Sequence, residues 1–207
     1  MQPPKLRYIH TLPDKLYIAF SGGMDSMVLF HYLKTRGKDI RLVVIDHLDK
    51  LSQEEILFCK EIALKYDVEY IVKVIDPFDG STSKESFWSR QRNTIFQSLD
   101  RPVVTGHHLN DAVEWYVMTA MQGNARPMRY ASGNVYRPFI LLPKKKIIDY
   151  ANYHKLTYIT DPSNIDINYC LRNKVRHKLI PGIYDAFPGI EKVVRKAILK
   201  QIKEDKI

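Results

Sequence analysis

The 207 residues are 45% hydrophobic and 27% charged, enough apolar material for a core, which excludes wholesale disorder. Lys and Arg outnumber Asp and Glu by 32 to 23, a net charge of +9. The two cysteines, Cys59 and Cys170, lie far apart and fit no zinc spacing or disulfide framework; no apolar run reaches the length of a membrane span, and the first ten residues lack a signal core, so a cytoplasmic chain with no membrane is expected.

In chain order, Lys15 to Phe20 reads as a short buried strand that stops at Ser21-Gly22-Gly23. Met24 to Leu33 follows with helical apolar spacing. Arg41 to Asp46 is a second strand, and Ser52 to Tyr66 an amphipathic helix with a capping box expected from Ser52 and Glu55. Glu69 to Val74 is a third strand, Glu85 to Leu99 a helix, Pro102 to Thr105 a fourth strand and Asn110 to Met121 a helix. Four alternations of strand and helix predict an α/β fold, a Rossmann-like and mainly parallel sheet with helices on both faces. Ligands bind such sheets beyond the carboxyl ends of the strands, where Ser21–Ser26, Asp46, His47 and 106–114 fall.

Beyond Gly123 the pattern changes. Residues 123–136 read as loop. Lys144 to His154 is helical, with Ile147, Ile148 and Ala151 on one side. Asp161 to Asn164 is a turn, and residues 169–179 and 189–204 form two basic helices parted by Pro181 and Pro188. A boundary is placed near residue 137, and charge follows it. Residues 1–136 hold 17 basic and 16 acidic side chains, and residues 137–207 hold 15 and 7. A basic rear portion suits a polyanionic partner.

Three motifs carry chemistry. In Ser21-Gly22-Gly23-Met24-Asp25-Ser26 the glycines allow a sharp turn, and the following helix start attracts anions. Asp25 would repel a phosphate unless Mg²⁺ sits between them. In Gly106-His107-His108-Leu109-Asn110-Asp111-Ala112-Val113-Glu114, Asp111 and Glu114 share a helix face and call for a cation, a metal or an amine, between them. His107 is placed to reach phosphate. In the third motif Arg172 and Arg176 share a face beside Asn173 and suit phosphates. The plainer readings are a glycine turn, a solvated helix face and a solvated cationic face.

SGGMDS resembles the PP-loop of the N-type ATP pyrophosphatases, which adenylate a substrate and release pyrophosphate. Residues 106–114 resemble the paired-carboxylate stretch of tRNA(Ile)-lysidine synthetases. Asp161-Pro162-Ser163-Asn164, Asp166, Arg172-Asn173 and Arg176-His177 resemble a signature of the same family. The resemblance implies a PP-loop catalytic domain over 1–136 and, over 137–207, a mostly helical extension that completes the active site and contacts tRNA. It implies a ligase that uses ATP and Mg²⁺ to adenylate C2 of the wobble cytidine of a CAU-anticodon tRNA(Ile). The ε-amine of free L-lysine then displaces AMP to give lysidine.

On this reading Ser21, Gly22, Gly23, Met24, Asp25, Ser26, Asp46 and His107 hold ATP, with Asp25 and Asp46 on the metal. Asp25, Asp111, Glu114, Arg172 and Arg176 are catalytic. Asp111, Glu114, Arg90, Asn173 and His177 bind substrate, and Lys192, Arg195, Lys196 and Lys200 contact the tRNA backbone. Arg90 takes the place of one family arginine, while Asn93, with Arg92 beside it, stands at another. Ala112 and Trp115 depart from the usual residues, as does the glycine-poor loop 123–136. Family members generally continue into further domains, so the chain reads as a short form; a homodimer is compatible with the family. The alternatives are a cytidine-thiolating PP-loop enzyme and a non-catalytic tRNA-binding relative.

Overall fold

A computed structural model describes Leu6 and residues 12–160, 166–167 and 170–205. Six strands form one sheet in the order β3-β2-β1-β4-β6-β5. These are β1 (Lys15–Ala19), β2 (Asp39–Asp46), β3 (Glu69–Val74), β4 (Val103–Val104), β5 (Ala131–Ser132) and β6 (Val135–Tyr136). All neighbours are parallel except β5 and β6. The expected α/β architecture is therefore present. Leu42, Val43 and Val44 of β2 are fully buried, because helices cover both faces and a central parallel strand has no solvent side.

The helices are α1 (Met24–Lys34), α2 (Lys50–Tyr66), α3 (Lys84–Ser98), α4 (Leu109–Met121), α5 (Lys144–Tyr153), α6 (Leu171–Lys174), α7 (Ile180–Ala186) and α8 (Ile190–Glu204). One core joins β1 and β2 to α1, α2 and α5 through Phe30, Leu42, Cys59 and Ile147. A second lies under α3, with Val43, Ile45, Phe96 and Val103. A third packs α4 on α8 through Val113, Val117, Val194 and Ile198. Residues on both sides of position 137 thus share cores. No helix among the described residues is long and apolar enough to cross a membrane.

Four expectations need correction. The capping box of α2 lies three residues earlier: the Asp49 carboxylate accepts from the Ser52 backbone N–H at 2.9 Å, and Ser52 Oγ accepts from Asp49 N–H at 3.3 Å. A carboxylate before a helix competes well with a hydroxyl for the free amides. Residues 123–136 are not all loop, since β5 and β6 form a small hairpin there. Ile148 is exposed, and Tyr150 takes its place in the core beside Ile147 and Ala151. Pro181 does not end a helix. Helical structure runs from Leu171 to Ala186, with a π turn at Val175–Leu179. Proline has no N–H for the His177 carbonyl, and the Ile180 N–H bonds five residues back to Val175. The expected turn at Asp161–Asn164, and residues 168–169, lie outside the described residues.

Candidate active site

The loop between β1 and α1 is a tight cradle. Gly22 has φ +70°, a left-handed conformation that glycine adopts without strain. A Cβ there would lie 2.8 Å from Ile159 and 2.9 Å from Phe58. Ile159 N–H donates to the Gly22 carbonyl at 2.8 Å, so the segment after α5 braces the loop, a contact no local pattern announced. Ser26 Oγ donates to the Gly23 carbonyl at 2.9 Å and lies 3.4 Å from Ser21 Oγ. Ser21, Asp25 and Ser26 face a cavity of about 880 Å³; Gly22, Gly23 and Met24 shape the turn behind them.

Asp25 stands between two loops. Gly106 passes so close that a Cβ would lie 2.9 Å from the Asp25 backbone carbon. Lys144 Nζ donates to Asp25 Oδ1 at 2.5 Å, and His108 Nε2 lies 3.8 Å from the same oxygen. Lys144 opens α5 and escaped the sequence reading because only the tertiary fold brings it here. Asp46 is engaged elsewhere. Its Oδ1 accepts from Leu48 N–H at 2.8 Å and Ser52 Oγ at 2.7 Å, and its Oδ2 from Gln53 at 3.1 Å. These bonds outweigh burial and hold its carboxyl below the ordinary range. Asp46 is not among the cavity-lining residues. Among the described residues no three His, Cys, Asp or Glu side chains are grouped to cage an ion. One carboxylate still fits Mg²⁺, which takes few protein ligands and completes its shell with phosphate and water.

The C-terminal side of the cavity is a charge quartet. Asp111 and Glu114 share a face of α4 as expected, and both are buried. Arg172 donates to Glu114 at 3.0 Å and Asp111 at 2.8 Å. Arg176 donates to Glu114 at 2.7 and 2.9 Å, with Asp111 at 3.5 Å. The cation expected between the carboxylates is thus a pair of arginines from the same chain. Burial opposes ionisation of Asp111, but His108, Arg172, His107 and the His108 N–H outweigh it and hold the carboxyl well below its ordinary range. Burial likewise opposes the charge of Arg172, and the two carboxylates overcome it, raising the guanidinium above its ordinary value.

α4 is aimed by its own start. His108 Nδ1 accepts from Asp111 N–H at 3.4 Å, and the Asp111 carboxylate accepts from His108 N–H at 2.9 Å. His107 bonds Thr105 Oγ1 at 2.8 Å. Burial pushes its imidazole down to about 3, with Asp111 opposing, so it is neutral at pH 7.

The opposite wall comes from α3. Arg90 is exposed and donates to Thr82 at 3.0 Å; its neighbour Arg92 lines the cavity instead, with Asn93 beside it. Two residues along a helix turn about 200°, so Arg90 and Arg92 point to opposite sides. Asn173 is buried but donates to the Asp166 carbonyl at 2.8 Å, and His177 is exposed on the π turn; neither lines the cavity. Sequence reading missed Arg137, Trp115 and Gln201, which do. Burial lowers Arg137 to about 10. Among the described residues His47 Nε2, Arg137 Nε and Gln201 Oε1 are buried with no hydrogen-bond partner, and all three residues line the cavity. Unmet polar atoms in one chamber suit a polar ligand.

The chain resembles known proteins over most of its length. The chain is 34% identical over 197 residues to the tRNA(Ile)-lysidine synthase of Persephonella marina, covering 86% of this chain and 43% of that protein. It is 31% identical over 198 residues to the enzyme of that name from Legionella pneumophila strain Paris, covering 88% and 46%. The chain thus spans about half the length of the curated relatives it matches. Among solved structures, the NH3-dependent NAD synthetase of Campylobacter jejuni overlays with a TM-score of 0.44 at 14% identity, covering 96% of this chain and 90% of that one. Residues 6–183 match the PP-loop domain, a span that contains the glycine cradle, the carboxylate pair and both arginines, and the chain accordingly belongs to the PP-loop domain family.

Proposed function

We propose that this chain carries out ATP-dependent lysidine formation on a CAU-anticodon tRNA(Ile). The observation that carries this reading is that one cavity is lined by Ser21, Asp25 and Ser26 of the SGGMDS loop and by Asp111, Arg172 and Arg176, with Glu114 bonded to both arginines. The relatives named tRNA(Ile)-lysidine synthase support the substrate. Oxygen at C2 of cytosine is a poor leaving group. Its attack on the α-phosphorus of ATP expels pyrophosphate and turns that oxygen into part of a phosphate ester. The lysine ε-amine then forms the bond to C2, AMP leaves, and the amine gives up a proton.

Ser21, Ser26 and the amides at the start of α1 hold the pyrophosphate. Asp25 is the carboxylate suited to Mg²⁺, which when bound offsets phosphate charge; Lys144 adds a positive charge beside it. Arg92 and Arg137 supply further charge to the nucleotide or RNA. The quartet is balanced, two carboxylates against two guanidiniums. An entering lysine ammonium takes over a carboxylate and releases an arginine toward the α-phosphate, where charge develops. Asp111 or Glu114 then accepts the amine proton, since only the free amine is nucleophilic. Arg90 and His177, outside the cavity, and Lys192, Lys196 and Lys200, exposed on α8, meet the RNA backbone.

Thiolation is not favoured. Cys59 is buried and its thiol is pushed up to about 12, which leaves essentially no thiolate at pH 7. The test is incubation with ATP, Mg²⁺, labelled lysine and a CAU-anticodon tRNA, followed by nucleoside mass spectrometry. The expected result is a lysine-modified cytidine, with pyrophosphate release that needs tRNA and goes beyond a single turnover only when lysine is present. Absence of lysine from the tRNA rejects the reaction, and Asp25→Asn is expected to abolish pyrophosphate release.

A further inference from the structure

Asp111, Trp115 and Met118 of α4 all line the cavity. Trp115 and Met118 stand four and seven residues on from Asp111, so the three form one stripe down a single helix face. At 1.5 Å per residue, Trp115 comes about 6 Å beyond Asp111 along the axis and Met118 about 10 Å beyond it. The face of α4 that carries the quartet's Asp111 therefore turns into aromatic and thioether surface within about one helical turn.

The chain returns beside this stripe. Arg126, Pro127 and Met128 also line the cavity. Thr119 ties the returning segment to α4: its Oγ1 accepts from Arg126 N–H at 3.2 Å and donates to the Trp115 carbonyl at 3.0 Å. The Arg126 guanidinium carbon lies 5.4 Å from the centre of the Trp115 ring. Trp115 is half-buried and Arg126 is exposed. A cation–π contact at an exposed site is weak enough for the arginine side chain to give way, while its backbone stays fixed.

An indole with a guanidinium beside it is a surface for a nucleobase, since every base has a π-face and a neighbouring phosphate. The other large rings of the cavity wall are engaged. Phe20 stacks on Phe58 and meets Phe30 edge to face, and Phe96 is buried in the core under α3. The geometry points to Trp115 as the platform on which the target cytosine stacks after leaving the anticodon loop, with Arg126 meeting its phosphate. The identity of the base rests on the lysidine reading above. A base that reacts must be drawn out of its own stack, and the indole repays that loss. A pyrimidine on Trp115 is then about one turn of α4 from Asp111, where the lysine amine is held. Position 115 is also one at which this chain departs from the lysidine-synthetase pattern, so the platform is particular to this sequence.

Trp88 and Trp115 are the two tryptophans of the chain, and Trp88 is not among the residues lining the cavity. In the Trp88→Phe variant, indole fluorescence therefore reports Trp115 alone. A CAU-anticodon stem-loop RNA is expected to cause a loss of emission that saturates with RNA concentration. The same RNA with an abasic wobble position is expected to bind, by fluorescence anisotropy of an end label, without that loss. Trp115→Ala is expected to raise KM for the tRNA about tenfold, with KM for ATP within twofold, and Trp115→Phe to recover most of it. Circular dichroism checks that Trp115→Ala folds, and the fluorescence measurement does not depend on that variant.

An intact stem-loop that leaves the emission unchanged overturns the proposal. So does an equal loss with the abasic RNA, or a loss with ATP alone, which would put adenine on the ring. The lysidine reading fails separately. Base-dependent quenching without lysine incorporation keeps the platform and rejects the reaction, whereas lysine incorporation with unquenched Trp115 keeps the reaction and rejects the platform.

Discussion

At the scale of residues, the quartet shows what spacing reveals and what it hides. Asp111 and Glu114, three apart on a helix, had to share a face, and two buried like charges had to find a cation. That much was legible. The identity of the cation was not, because Arg172 and Arg176 come from about sixty residues downstream and only packing of the π turn after α6 against α4 delivers them. Lys144 on Asp25 was hidden for the same reason. The arrangement predicts a specific energetic signature. Asp111→Asn leaves the two half-buried guanidiniums short of one carboxylate, and breaking such a pair, partly screened by solvent, is expected to cost about 2 kcal/mol. Arg172→Gln should cost a similar amount. Because the two side chains share one network, the double variant should be less destabilised than the sum by about 1 kcal/mol or more. Urea unfolding of the four proteins checks this, and strict additivity would mean the pair is not coupled.

At the scale of elements, the strands and major helices were legible because buried parallel strands are continuous apolar runs and the covering helices are periodic. Two-residue strands such as β5 and β6 are shorter than any period and could not be read. Pro181 misled for a physical reason. Proline usually stops a helix, but a ladder that shifts to five-residue spacing absorbs the missing N–H. The shift has a geometric consequence. Arg172 lies in the α-helical turn and Arg176 in the π turn, and the widened turn changes the angle between them as both reach Glu114. Pro181→Ala restores an N–H at position 181 and lets the α ladder close. Thermal stability is then expected to hold or rise slightly, while lysine-dependent pyrophosphate release falls about tenfold as Arg176 rotates from its carboxylate. Circular dichroism melting and a pyrophosphate assay separate the two effects. An unchanged rate would make the π turn a packing detail.

At the scale of the whole molecule, the basic rear portion read from composition is an amphipathic surface. α8 buries Val194, Ile198 and Ile202 on α4 and exposes Lys192, Lys196 and Lys200. The histidines show a global property that composition could not. His31, His47, His107 and His108 are all held below their ordinary value, in each case first of all by burial. In the unfolded chain each takes a proton near pH 6.5. In the folded protein each resists, His107 down to about pH 3. Below pH 6.5 the unfolded state therefore binds more protons than the folded one, and linkage makes stability fall with pH. The stabilisation is complete above pH 6.5 and is lost progressively toward the folded values. The depressed Asp111 carboxyl acts in the same direction, but only below the ordinary carboxylate range. The urea midpoint should thus be flat from pH 8 to about 7 and decline from about 6.5 toward 5. His107→Gln removes one of these protons and should make the decline shallower without changing the plateau by the same amount. A midpoint that stays constant from pH 7.5 to 5 would show that the four imidazoles are not shielded as a group.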